Sequence, residues 1–410
     1  MSLRTNSRTP STHTRARVGV FGYFATSGFI MGCWAAGLPA LDERLVLGPA
    51  RLGNVLLLIA TGALVSMMFV GRACDRFTSR TVTRICGPVT ALALLGPALA
   101  DDYTYLAIAA VLYGATVGGI EVSMNVNSIE VETYYARPIV SSFHGFWSLG
   151  GAVGGGLTAA GNHLELDPQY MLAGGAVLAA VLFGVFGRML SPPPPTTDTG
   201  TTAAGGMRWG VVLLLGIVAF GAHISEGAAI DWAGVHARQV LAVDLAVAPI
   251  AYTVFSVAMT TVRLLGDPIR ARLGSERTLF TAGTLATVGY GLVLLAPTAA
   301  DAAMPVASIG WFCAGAGLAT MIPVIFSAVG SGAGSVGRAL STVTVFGSAG
   351  LLIGPAAIGH LAEASSLPTA LVVPALLAAM VAVTGPPAVR ALTRSRHKRG
   401  SVTDGGVLHR

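Results

Sequence analysis

The chain has 410 residues, of which 53% are hydrophobic and only 11% charged, and its mean hydropathy is +0.70. Soluble domains carry about a quarter charged residues, so this balance excludes an ordinary water-soluble globule and points to lipid as the solvent. The net charge of +6 sets 25 basic residues, 24 of them Arg, against 19 acidic ones, and the basic residues do not cluster with interleaved aromatics; that makes nucleic-acid binding a poor reading and fits a charged membrane face. A helix crossing the hydrocarbon core needs about 20 mostly apolar residues. In chain order the first such runs are 18–41, 52–71, 81–100, 105–127, 139–161 and 170–190. A Pro- and Thr-rich stretch, 191–208, then reads as a flexible linker. Six more runs follow at 209–230, 246–265, 279–296, 304–329, 340–361 and 369–389. The predicted architecture is therefore all-α: a tail (1–17), a six-helix bundle (18–190), the linker, a second bundle (209–389) and a tail (390–410).

With twelve spans both termini lie on one side, and placing them in the cytoplasm puts 22 of the 25 basic residues inside. Only Arg44, Arg51 and Arg238 fall outside. This asymmetry orients the chain as a multi-pass protein of the cytoplasmic membrane. The first apolar run exceeds the 7–15 residues usual for a signal peptide, so it reads as an uncleaved helix. Cys33, Cys74, Cys86 and Cys313 show no CxxC spacing, which argues against both a disulfide framework and a zinc site. The 53 glycines sit inside apolar runs, where small residues let helices approach closely. The halves also echo each other. Trp34-Ala35 and Trp232-Ala233 lie 198 residues apart, and Gly150-x-x-x-Gly154 and Gly350-x-x-x-Gly354 lie 200 apart, as a duplicated bundle requires.

Between the second and third runs stands Gly71-Arg72-Ala73-Cys74-Asp75-Arg76-Phe77-Thr78-Ser79-Arg80. It resembles the loop motif of the major facilitator superfamily, with Thr78 where that family usually has Gly. The resemblance implies a conformational lock: Asp75, paired with Arg76, Arg80 or a helix end, would hold the cytoplasmic ends together until transport breaks the contact. Gly266-Asp267-Pro268, with Arg270, Arg272 and Gly274, forms a looser copy in the second half. Positive-inside bias alone would also place Arg residues here. Three further segments resemble the MosC-like branch, the rhizopine-permease group, itself akin to fucose permeases: Gly119 to Glu132, Ser142 to Gly150, and Ser225 to Trp232. The fucose-permease pattern Gly-x-Glu-x-x-x-Asn is matched by Glu121 and Asn125, which implies a proton-coupling role for Glu121. Those permeases also use an acid in the first span, and here that span has none, only Thr26, Ser27 and Trp34.

The residues themselves point the same way. A carboxylate at membrane depth is costly, so it usually faces a cavity or a partner. Glu121 and Asn125 are at i and i+4 on one helix face, and His144 enters the next span from the same side. Glu121 and His144 can meet there, either as a structural hydrogen bond or as proton carriers. Glu226 and His223, at i and i+3, are expected in the outer half of the seventh span, as cargo or proton contacts or simply reaching water. Asp231 and Trp232 are expected at the membrane interface. Trp34 lies deeper, suited either to stacking on a cargo ring or to packing. Gly350-x-x-x-Gly354-Pro355 resembles an antiporter motif of the superfamily but in the other half, and close packing is the preferred reading.

No HExxH, Gly-x-Ser-x-Gly or Walker loop occurs, so neither an enzyme nor an ATP-driven pump is expected, and no cofactor. The function that fits is a monomeric secondary carrier for a small sugar- or polyol-like solute, coupled to protons. A proton-coupled exporter of amphipathic compounds competes with it, and a non-transporting membrane sensor is the third class.

Overall fold

The computed structural model describes residues 10–135, 139–191, 209–265, 267–330 and 336–404. Thirteen α-helices make it up: α1 (Pro10–Leu45), α2 (Gly48–Phe77), α3 (Ser79–Ala93), α4 (Leu95–Ala98), α5 (Tyr103–Glu132), α6 (Val140–His163), α7 (Pro168–Gly187), α8 (Trp209–Gln239), α9 (Pro249–Leu265), α10 (Asp267–Leu295), α11 (Ala303–Gly330), α12 (Val336–Ala364) and α13 (Leu367–Asp404). No strand occurs among the described residues. Each of the twelve apolar runs falls on a helix, the third on α3 and α4 together.

By length and hydropathy, nine segments among the described residues can cross a bilayer. The number differs from twelve for three reasons. Arg272–Val329 holds two runs joined by a 3-10 stretch, Ala296–Ala302; α9 has 17 residues; and α6 is diluted by glycine. Helix starts are set by acidic caps: Asp102 Oδ1 accepts from the Tyr105 N–H at 2.9 Å, and Asp167 Oδ1 from the Gln169 N–H at 2.8 Å. Glu132 Oε2 accepts from the Ile139 and Val140 N–H groups at 2.6 and 2.9 Å, which caps α6 from the end of α5.

The described residues form two compact units. One runs to Leu47 and resumes from Leu58 to Ser191; the other contains Gly48–Leu57 and everything from Trp209 on. The opening of α2 thus groups with the second unit. There a methyl added at Gly53 would come 3.0 Å from the Gly359 Cα, and Asn54 Oδ1 lies 3.0 Å from His360 Nε2. In the first unit α1 packs on α6 and α7, and α3 on α5 and α7. In the second, α8 packs on α12, α13 and α11, and α10 on α11 and α13.

The duplicated glycines make equivalent seams. A methyl at Gly150 (α6) would overlap the Ala25 carbonyl of α1, and one at Gly350 (α12) would fall 2.5 Å from the Phe220 carbonyl of α8. Backbone therefore meets backbone at both places, and Gly350 is a packing residue.

Three boundaries differ from expectation. Helix α1 begins at Pro10 inside the predicted tail, and α13 continues to Asp404 through most of the other. Helix α8 runs nine residues past 230, because Trp232, Ala233, Gly234, Val235 and Ala237 continue a buried small-and-apolar face. Trp232 is fully buried, so it is a core residue and not an interfacial anchor. The linker beyond Ser191 lies outside the described residues.

Candidate functional site

In the first unit, Glu121 sits in the middle of α5 and is exposed. It stands nine residues beyond Leu112, about half a turn around the helix, so it faces away from the exposed apolar side that bears Ile108 and Leu112. The side that carries it also bears Gly114 and Gly118, where added methyls would overlap the Ile59 and Ala63 carbonyls of α2. Its carboxylate makes no hydrogen bond or ion pair among the described residues, so the expected bond to His144 is not formed. The Asn125 amide folds back onto its own helix, donating to the Glu121 carbonyl at 2.8 Å. His144 is exposed on α6 and meets Phe24 of α1 edge-on at 5.1 Å. Trp34 is only 3% exposed and lies 5.9 Å from the Tyr113 ring, which places it in the packing between α1 and α5 and not on an open surface.

In the second unit, Glu226 lies close to the middle of α8, two residues past its midpoint. It forms an ion pair that the sequence reading passed over: Arg263 donates from Nη2 to Glu226 Oε1 at 3.0 Å, with side chains 14% and 12% exposed. Arg263 counts with the inner-loop basic residues in sequence, yet it reaches into the helix packing from the last turn of α9. The signal was there: Glu226 is the one charge in the run 209–230 and Arg263 the one charge in the run 246–265. The pair is braced by its neighbours. Tyr290 of α10 donates its hydroxyl to the Ser225 carbonyl, and the Ser225 hydroxyl reaches the Gly221 and Pro374 carbonyls at 2.9 Å each. His223 hydrogen-bonds through Nδ1 to the Ala219 carbonyl at 2.9 Å, and its ring fills the space over Gly347. Asp231 is half-buried, without a hydrogen bond or ion pair among the described residues.

The loop motif takes an angular form. Helix α2 continues through Gly71, and nothing lies near where a methyl there would sit. Asp75 is exposed and makes no hydrogen bond or salt bridge among the described residues. Arg76 lies over the Phe77 ring at 5.4 Å, and Arg80 is half-buried. Thr78 alone joins α2 to α3, at φ 71° and ψ 142°. In the second unit Gly274 adopts φ 73° and ψ 165° within α10. Arg272 is exposed just before it, while the Asp267 side chain lies outside those described. Sequence reasoning also passed over Glu130, whose Oε2 accepts from the Ser79 hydroxyl at 2.5 Å and from the Asn127 amide at 3.3 Å. No cluster of His, Cys, Asp and Glu able to hold a metal ion occurs among the described residues.

Residues 19–341 match the profile of the Major Facilitator Superfamily. An uncharacterised transporter of Sinorhizobium fredii is 32% identical over 377 residues, covering 90% of this chain and 97% of that protein. The membrane protein MosC of Rhizobium meliloti is 28% identical, covering 85% and 84%. Among solved structures, a variant of the nucleoside transporter NupG superposes with a TM-score of 0.69 at 13% identity, covering 93% of this chain and 99% of that one. The Escherichia coli fucose:proton symporter superposes at 0.59 with 16% identity, covering 90% and 98%.

Proposed function

The chain belongs to the Major Facilitator Superfamily, and from that premise we propose that it carries a small polar solute, sugar- or polyol-like, across the cytoplasmic membrane together with protons. The chain is a multi-pass membrane transporter and not an enzyme. Alternating access moves cargo by exposing one central site to each side in turn. Protons supply the driving force through Glu121, the reading's chief support. A carboxylate at mid-helix, turned away from the apolar side and without a hydrogen bond or ion pair among the described residues, is free to bind a proton or a cargo hydroxyl. The Glu226–Arg263 pair serves the second unit as a fixed charge pair that orients cargo. Support for proton coupling also comes from the solved relatives, among which are a fucose:proton and a D-xylose–proton symporter. The chain works as a monomer with both termini in the cytoplasm.

Counterflow in proteoliposomes tests the substrate class. Vesicles preloaded with an unlabelled sugar or polyol should accumulate the labelled compound transiently. Counterflow of amphipathic drugs with none of sugars or polyols would replace the importer with an exporter. Orientation has its own check. An epitope inserted between Pro195 and Gly206 should be reached by antibody only after the cells are opened, and labelling of intact spheroplasts would overturn the topology.

A further inference from the structure

We propose that Glu130 and Asn127 form a clamp that holds the corner between α2 and α3 in a conformation it would otherwise leave, making Glu130 a positioning residue for the gating loop. Helix α2 ends at Phe77 and α3 begins at Ser79, so the whole change of direction falls on Thr78. Its φ of 71° with ψ of 142° lies beside the region occupied almost only by glycine, and a β-branched residue is strained there. Such strain persists only where the surroundings over-determine it.

The surroundings do so at the very next residue. Ser79 is 1% exposed, and its hydroxyl donates to Glu130 Oε2 at 2.5 Å. Asn127, also 1% exposed, donates its amide to the Ser79 hydroxyl at 3.1 Å and to Glu130 Oε2 at 3.3 Å. Three side chains thus close a triangle of hydrogen bonds in which the carboxylate accepts twice, and charge-assisted bonds of this kind are stronger than neutral ones. The second unit gives the contrast. Its corner residue is Gly274, for which the same φ carries no strain, and the nearby Glu276 is tied to Arg390 by an exposed ion pair at 2.5 Å. The buried clamp stands at the strained corner.

The loop's purpose rests on the transport reading, but the clamp is tested without transport. Cys74, 6% exposed and four residues before Thr78, reports opening of the corner, and Cys33, buried in α1, reports general unfolding. Maleimide labelling of the purified full-length protein, resolved by mass spectrometry for each cysteine, is compared for Glu130→Ala in two backgrounds, the natural sequence and Thr78→Gly. With Thr78 present, Glu130→Ala should speed Cys74 labelling about tenfold without changing Cys33. With Thr78→Gly the same change should speed it about twofold or less, because the corner no longer needs to be held. Equal factors in both backgrounds would mean that Glu130 merely joins α3 to α5, and no change would mean no clamp; either result overturns the proposal. Ser79→Ala removes the central bond while keeping the carboxylate. It must show the same dependence on residue 78, and it decides the matter alone if Glu130→Ala raises Cys33 labelling.

Discussion

Glu121→Gln is expected to abolish accumulation of cargo against its gradient while leaving exchange of cargo across the membrane intact. Gln keeps the size and hydrogen-bonding capacity of a protonated Glu but cannot release the proton. In a proton-coupled carrier, cargo binding and protonation are linked, and by reciprocity each changes the affinity for the other. Freezing the group in its neutral form leaves the loaded carrier free to cycle and removes the step in which the proton departs. Uptake driven by an imposed pH gradient should therefore fall to the equilibration level, with counterflow close to that of the unaltered protein. Normal accumulation in Glu121→Gln, with loss in Glu226→Gln, would move coupling to α8.

The second large effect concerns the charge pair in the other unit. Arg263→Ala should destabilise the protein by about 3 kcal/mol, because it leaves the Glu226 carboxylate mostly enclosed and without its ion-pair partner. The double variant Glu226→Gln with Arg263→Gln removes both charges and should recover most of that loss. Thermal unfolding in detergent of the two single variants and the double reads the coupling directly. Losses that simply add would show that the two charges act separately and that the 3.0 Å contact contributes nothing to the fold.

Much of this architecture was legible because an apolar run of bilayer length has few other uses: all twelve runs became helices, and the Gly150 and Gly350 offsets became equivalent seams. What failed did so for local physical reasons. Asp231, His236 and Arg238 look like the polar end of a span, yet the small residues between them let α8 continue to Gln239 with His236 fully buried. Arg263 obeys the positive-inside count and still turns inward to Glu226, since a long side chain on a last turn can point either way. Trp34 has the composition of a cargo contact, and only the packing of Tyr113 against it shows where the indole goes. Glu121 stands out by its motif and its depth, but that its carboxylate makes no hydrogen bond or ion pair among the described residues could come only from the structure. Thr78 stands where the family usually has Gly, and it takes a positive φ of 71°, a conformation that favours glycine.

The paired glycine seams bear on what holds each unit together in lipid. Hydrocarbon tails are as apolar as leucine, so the expulsion of water that welds a soluble core is missing between these helices. Where Gly150 faces the Ala25 carbonyl and Gly350 the Phe220 carbonyl, the helices come so close that an added methyl would meet those oxygens, and the backbones pack directly on one another. Cohesion along α1–α6 and α8–α12 therefore resides partly in the main chain, which every sequence possesses, and the glycines contribute chiefly by leaving it uncovered.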